Sequence, residues 1–268
     1  DSPASWMILQ GGEYTITEGQ RDGWIHTTAD SVTIKVQSGD APPTIWFGNF
    51  KEATVTVYKY EDADGNLATT DDWKAIDWPI TLTNSLGSFA SSTGTRGKAF
   101  SGQGPGSFAV TEADDPAWVS LNGSSWSGKM ESGGKYVVNF VNFKLVTITA
   151  DKFEDVNGNG KMDGGEPEVT GWQLTIKYPD GTTDTKVTPA SWTVGRGGTY
   201  TITEELQDGW VQTTTSSVDV DVNSGVTPST VWVGNFKLGK ISGYKWEDIN
   251  GDGIRDQDEP VLKDWEIT

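Results

Sequence analysis

Two twelve-residue strings in this chain carry oxygen-bearing side chains at the spacing that a hard divalent cation demands. Residues 155–166 read D-V-N-G-N-G-K-M-D-G-G-E, and residues 248–259 read D-I-N-G-D-G-I-R-D-Q-D-E. Both meet the pattern D-x-[DN]-x-[DN]-G-x5-E at every fixed position. In a tightly curled loop alternate residues point inward. Asp155, Asn157 and Asn159 would therefore bring side-chain oxygens to one point. The glycine at position six permits the bend, Lys161 offers its carbonyl, Asp163 ligates directly or through water, and Glu166 closes the shell. Asp248, Asn250, Asp252, the Ile254 carbonyl, Asp256 and Glu259 repeat the set. The expected ion is Ca2+, with a merely solvated turn as the alternative. A third string departs from the pattern. After Asp62, Asp64 and Asn66 comes Leu67 at the glycine position, and Trp73 stands at position twelve. Asp71 and Asp72 could supply carboxylates from a rearranged loop, and a metal-free turn is the other reading.

The loops recur because the chain repeats. WFGNFK ends at Lys51, NFVNFK at Lys144 and WVGNFK at Lys237, at intervals of 93 residues, and Asp62, Asp155 and Asp248 keep the same interval. GGEYTITE at 11–18 returns as GGTYTITE at 197–204, two periods on, with GSFAVTE at 106–112 as a weaker middle copy. This phase divides the chain into the C-terminal part of a module (1–51), a complete but divergent module (52–144), a second complete module (145–237) and the N-terminal part of another (238–268). Within a unit, short runs such as LVTITA (145–150) and SVDVDV (217–222) alternate with period two between Asn-Gly, Asp-Gly and Gly-Gly signals. That pattern predicts strands at sandwich spacing, and no segment carries a helical stripe. The expected class is all-β, in tandem sandwich modules. The Gly/Ser-rich insert 85–107 reads as flexible loop filler, or else as the surface that would recognise a partner.

Composition narrows the function. The 268 residues hold 38 acidic against 20 basic side chains, a net charge of −18, which repels nucleic acid and acidic membranes and attracts divalent cations. A solvated acidic face is the blander account. There is no Cys, so neither disulfides nor thiolate–metal chemistry is available, and the one histidine, His26, leaves no triad or zinc site. No apolar run reaches the roughly 20 residues of a membrane span. No signal peptide is evident, which points to a mature chain or a fragment. A bound ion is then the expected staple of these small domains. The repeat-equivalent tryptophans Trp6/Trp192, Trp24/Trp210, Trp46/Trp232 and Trp172/Trp265 read as core or inter-module packing, with a sugar platform as the alternative. Asn122-Gly123-Ser124 is a lone glycosylation sequon.

The strings KWEDINGDGIRDQDEPVLKDWEIT and KFEDVNGNGKMDGGEPEVTGWQLT resemble the opening of the B-type domains of serine–aspartate-repeat adhesins. GGTYTITEELQDGW resembles a stretch shared with the collagen-adhesin B-type superfamily. The resemblance covers essentially the whole chain, the middle unit least well. It implies an immunoglobulin-like or prealbumin-like sandwich, calcium in the D-x-N-G-x-G loops and an extracellular stalk or fibre on a microbial surface. Collagen-adhesin B-type domains often carry a Lys–Asn isopeptide bond promoted by a buried Glu, and matching residues exist here. They are Lys59, Lys152 and Lys245 on the first strand, Asn49, Asn142 and Asn235 on the last, and Glu18, Glu112 and Glu204 between. Exposed strand-end residues held in phase by the repeat are the competing account, and the serine–aspartate-repeat branch generally lacks the bond.

The function expected from the sequence is a non-enzymatic structural protein that self-associates. Its part-modules are either completed head-to-tail by a neighbouring chain or cut from a longer array. An adhesin segment that binds a host protein or glycan is the alternative.

Overall fold

The computed structural model describes residues 3–268. Asp1 and Ser2, the first two residues of the segment 1–51 read as part of a module, lie outside the described residues. All regular elements in the described chain are β-strands. The alternating runs form them for the reason the sequence suggests: one face of each strand is apolar and the other polar, so pairing into a sheet buries a single face.

Contacts divide the chain into two compact units. One takes the residues up to Ile148 with Trp192–Tyr200 and Val220–Ser229, and the other takes Thr149–Ser191, Thr201–Asp219 and Thr230–Thr268. In the first unit, Ser125–Met130, Gly106–Glu112, Pro79–Asn84 and Gly87–Ser92 make a four-stranded sheet in that order. Trp118–Ser120, Lys135–Lys144, Ala53–Glu61 and Lys74–Ala75 make the second, with Lys98–Gln103 also paired to Ala53–Glu61. Val55, Val57, Leu82, Phe108, Val110 and Phe140 lie in the core cluster of this sandwich. The central pairing is parallel, with Lys59 beside Phe140 and Glu61 beside Asn142. The Gly/Ser-rich insert is not filler. Residues 85–107 hold the strands Gly87–Ser92 and Lys98–Gln103, whose backbone groups are met by the ladders on Pro79–Asn84 and Ala53–Glu61.

Two further four-stranded sheets follow. Their orders are Ala190–Val194, Val146–Glu154, Val231–Lys237, Trp210–Gln212 and Thr183–Val187, Gln173–Lys177, Gly198–Glu204, Ser217–Val222. The parallel pair recurs here, with Lys152 beside Val233 and Glu154 beside Asn235. From Val146 to Lys152 burial alternates, so that Val146, Ile148, Ala150 and Lys152 all face inward, and Phe153 ends the alternation by being buried as well.

The leading residues form only two-stranded pairings, Gly12–Thr17 with Ser31–Val36 and Trp24–His26 with Asn49–Lys51. At the other end Lys245–Trp246 pairs with Val261–Leu262. The repeat-equivalent tryptophans part company accordingly. Trp192 and Trp172 are 1% and 2% exposed, whereas Trp6, Trp46 and Trp265 are 64%, 82% and 61% exposed.

Candidate functional site

The two full-pattern loops are built alike. Asp155 sits at the end of its strand, fully buried, and accepts from three amides: Gly158 (2.7 Å), Asn159 (3.1 Å) and Gly160 (2.6 Å). Asp248 accepts from Gly251, Asp252 and Gly253 at 2.7, 3.1 and 2.8 Å. Gly160 and Gly253 have φ of 74° and 77°, the left-handed bend that position six requires. The closing glutamates are held alike. Glu166 accepts from the Val156 and Asp163 amides, and Glu259 from those of Ile249 and Asp256. Lys161 and Ile254 donate their amides to Asn159 and Asp252.

Inside the loops the amide nitrogens of Asn157 and Asn159 donate to Asp163 Oδ2 at 2.9 and 2.6 Å, and Asn250 donates to Asp252 and Asp256. These donors hold the Asp163 carboxyl below the ordinary carboxylate range. Burial alone would push Asp155 up. The Thr213 hydroxyl and the Gly160, Gly158 and Asn159 amides outweigh it and hold that carboxyl low. Both aspartates are thus kept ionised, which is the state a cation ligand needs. Oxygen donors of this kind at this spacing fit calcium.

The degenerate first loop is the more concentrated in charge. Asp62, Asp64 and Asp72 bring carboxylate oxygens within 4.8 Å of one another, and among the described residues no other such group of three occurs. Asp72 Oδ2 accepts from the Asp64 amide, while Asp71 stands exposed outside the group. Asn66 accepts from the Ala68 amide in its own turn, and its backbone amide donates to Asp64 Oδ1 at 2.7 Å. Trp73, at the place of the closing glutamate, donates its indole N–H to Asp62 Oδ2 at 3.2 Å. Desolvation, with Asp64 and Asp72 nearby, raises the Asp62 carboxyl above its ordinary value.

The Lys, Glu and Asn positions converge. Lys59 is 1% exposed and donates to Glu112, itself buried; Asn142 is 4% exposed, and its Oδ1 meets no donor. Lys152 Nζ lies 2.7 Å from Glu204 Oε2, and Asn235 Nδ2 donates to the same oxygen at 3.2 Å. Burial drives both lysines below their ordinary pKa, against the pull of the glutamate partner. Among residues 1–51, Asn49 donates to Glu18, and Glu18 Oε2 has no hydrogen-bond donor and lies 3.8 Å from His26. Lys245 is exposed and, among the described residues, pairs with no carboxylate.

A lid over each buried lysine escaped the sequence reading. Trp78 lies 4.8 Å from Lys59 Nζ and Trp172 lies 4.7 Å from Lys152 Nζ. Each indole donates to a backbone carbonyl, Ala113 or Glu205, and meets a second tryptophan, Trp118 or Trp210, edge to face. Trp265 holds the same place over Lys245 at 5.4 Å. The signal was present, but Trp78 falls one residue out of phase with Trp172 and Trp265. Trp78 and Trp172 each add an apolar face to the burial that lowers the lysine pKa.

No family model matches the chain. Over 146 residues, 47% of this chain, it is 35% identical to serine-aspartate repeat-containing protein E of Staphylococcus aureus (strain USA300). It is equally similar to bone sialoprotein-binding protein of Staphylococcus aureus (strain MRSA252). The chain spans about 13% of the length of these relatives. The resemblance to the serine–aspartate-repeat proteins read from the sequence therefore holds. Among solved structures, the Bacillus anthracis TIE protein aligns with a TM-score of 0.36 and 17% identity, over 85% of this chain and 42% of its own. Shaft pilin SpaA of Lactobacillus rhamnosus GG aligns with a TM-score of 0.30 and 11% identity, over 72% of this chain and all of its own.

Proposed function

We propose that this chain is a segment of an extracellular surface protein whose sandwich modules are stapled by calcium and stack into a stalk or filament. The observation that carries the reading is the matched construction of the 155–166 and 248–259 loops. In each, the leading aspartate and the closing glutamate are held by backbone amides of the loop. An ion bound there by the folded chain alone stabilises it by mass action, a role otherwise open to disulfides in a chain without cysteine. The reading gives the chain no catalytic role.

Two finer features belong to the same proposal. The first is covalent closure of the Lys152–Glu204–Asn235 and Lys59–Glu112–Asn142 groups. The neutral Lys amine attacks the Asn Cγ; the Nζ–Cγ bond forms, the Cγ–Nδ2 bond breaks and ammonia leaves. The Glu carboxyl carries the proton from Nζ to the departing nitrogen. Burial of the three groups under a tryptophan lid supports this. The second is head-to-tail completion of the part-modules. Trp6, Leu9 and Trp46 at one end, and Ile241, Tyr244 and Trp265 at the other, are exposed apolar side chains of the kind a matching half-sandwich covers.

Negative-stain electron microscopy of the chain, in millimolar calcium and after chelation, tests the reading. Long regular filaments that fray on chelation are the expected result. Short rods unchanged by chelation would refute it.

A further inference from the structure

Ser120 and Asn142 stand opposite each other in the antiparallel ladder between Trp118–Ser120 and Lys135–Lys144. The Leu121 amide donates to the Val141 carbonyl at 2.8 Å, so the two residues form a pair that exchanges no main-chain bond of its own. In such a pair both side chains point to one face, with Cβ atoms about 4.5 Å apart. Here that face is the inner one. Trp118, two residues before Ser120 and on the same side of the strand, meets Trp78 edge to face at 5.3 Å, and Trp78 is the ring over Lys59. Ser120 therefore lines the Lys59–Glu112–Asn142 group.

Among the described residues neither Ser120 Oγ nor Asn142 Oδ1 has a hydrogen-bond partner, and both atoms are shielded from solvent. An idle hydroxyl beside a carbonyl oxygen without a donor costs stability, and folding alone gives no reason for it. The condensation proposed above gives one. When Lys59 Nζ adds to Asn142 Cγ, the electron pair of the C=O bond moves onto Oδ1. That oxygen stays negative until the pair returns, the Cγ–Nδ2 bond breaks and ammonia leaves with the proton carried by Glu112. A donor that is idle in the ground state and engages only as this charge gathers lowers the barrier without stabilising the reactants.

The second group lacks the device. Gln212 stands opposite Asn235 in the equivalent pair and commits its Nε2 to the Thr215 carbonyl at 2.9 Å. We propose that Ser120 is the oxyanion donor of the Lys59–Asn142 condensation. Its hydroxyl turns about the Cα–Cβ bond and donates to Asn142 Oδ1 as the tetrahedral intermediate forms. The inference rests on the cross-linking reading, and it is independent of calcium and of head-to-tail completion.

Cell-free synthesis of the full chain, quenched in denaturing acid at intervals and digested, follows each cross-link through its branched peptide. Ser120→Ala should slow formation of the Lys59–Asn142 peptide about a hundredfold or more, the usual effect of removing one oxyanion donor. Its final yield should be kept, and the Lys152–Asn235 peptide should hold its parent time course. A module that failed to fold would lose the final yield as well. Ser120→Thr should restore the parent rate, and Ser120→Val, of equal bulk but without the hydroxyl, should not. Bond formation at one rate in the parent and Ser120→Ala, or in Ser120→Thr and Ser120→Val, would overturn the inference and leave the cross-linking reading standing. A parent chain that never yields the Lys59–Asn142 peptide would remove both.

Discussion

Lys152 Nζ lies 2.7 Å from Glu204 Oε2 with 0% and 1% of the two side chains exposed, so a lysine–glutamate pair sits buried inside a β-sandwich. Burial of this kind is costly unless every partner is satisfied, and Glu204 Oε1 and Asn235 Oδ1 have no donor. Condensation of Lys152 with Asn235 removes the buried charge altogether.

Intact mass under denaturing conditions reads that condensation directly. The chain is expected to be lighter than its sequence by one ammonia per bond, and a digest should contain Lys152 and Asn235 in one branched peptide. Glu204→Gln should restore the full mass for that bond. Recovery of the unshifted mass in the parent chain would rule out closure.

Titration gives an independent sign. In an Asn142→Ala/Asn235→Ala variant the lysines stay free amines whose folded pKa is lowered by burial. Between that lowered value and the ordinary one near 10.4, the unfolded chain binds more protons than the folded one. Stability should therefore rise as pH climbs through this window. Denaturant melts of the variant at a series of alkaline pH values should show the rise, and the cross-linked parent should lack it. A variant whose midpoint is flat or falling over that range would contradict the burial assignment.

Calcium should raise the melting temperature. An ion at about 100 times its Kd adds about 2.7 kcal/mol to the site it occupies. Glu166→Gln, which removes the charge of the closing ligand at the 155–166 loop, should weaken calcium binding to that loop in isothermal titration. Asp71→Asn, outside the first loop's carboxylate group, should change nothing. Equal loss from both substitutions would mean diffuse counter-ion attraction by the acidic surface.

Repeat-equivalent tryptophans should respond unequally to truncation. Trp192 is 1% exposed, and Trp192→Ala should cost about 3–5 kcal/mol. Trp6, at the same place in the repeat, is 64% exposed, and Trp6→Ala should stay within about 0.5 kcal/mol in dilute chain. Urea melts of the two variants compare them. In assembled material Trp6→Ala should become costly if a neighbour covers that face.

Much of this was legible in one dimension. Period-two alternation made the strands all-β, because one buried face per strand leaves its mark on every second residue. The D-x-N-G-x-G spacing named the loop residues, because such loops are contiguous and their hydrogen bonds are local. The long-range relations were not legible. A phase marker could align Lys152, Glu204 and Asn235, but only strand pairing brings Glu204 and Asn235 to bond across 31 residues and buries Lys152 beside them. The carboxylate grouping of the first loop is long-range for the same reason. The loop fails the pattern at Leu67 and Trp73, yet the folded chain brings Asp72 back against Asp62 and Asp64. The tertiary structure also decided that residues 85–107 form strands, since a Gly/Ser-rich segment acquires β-structure from the ladders it meets and not from its own propensity.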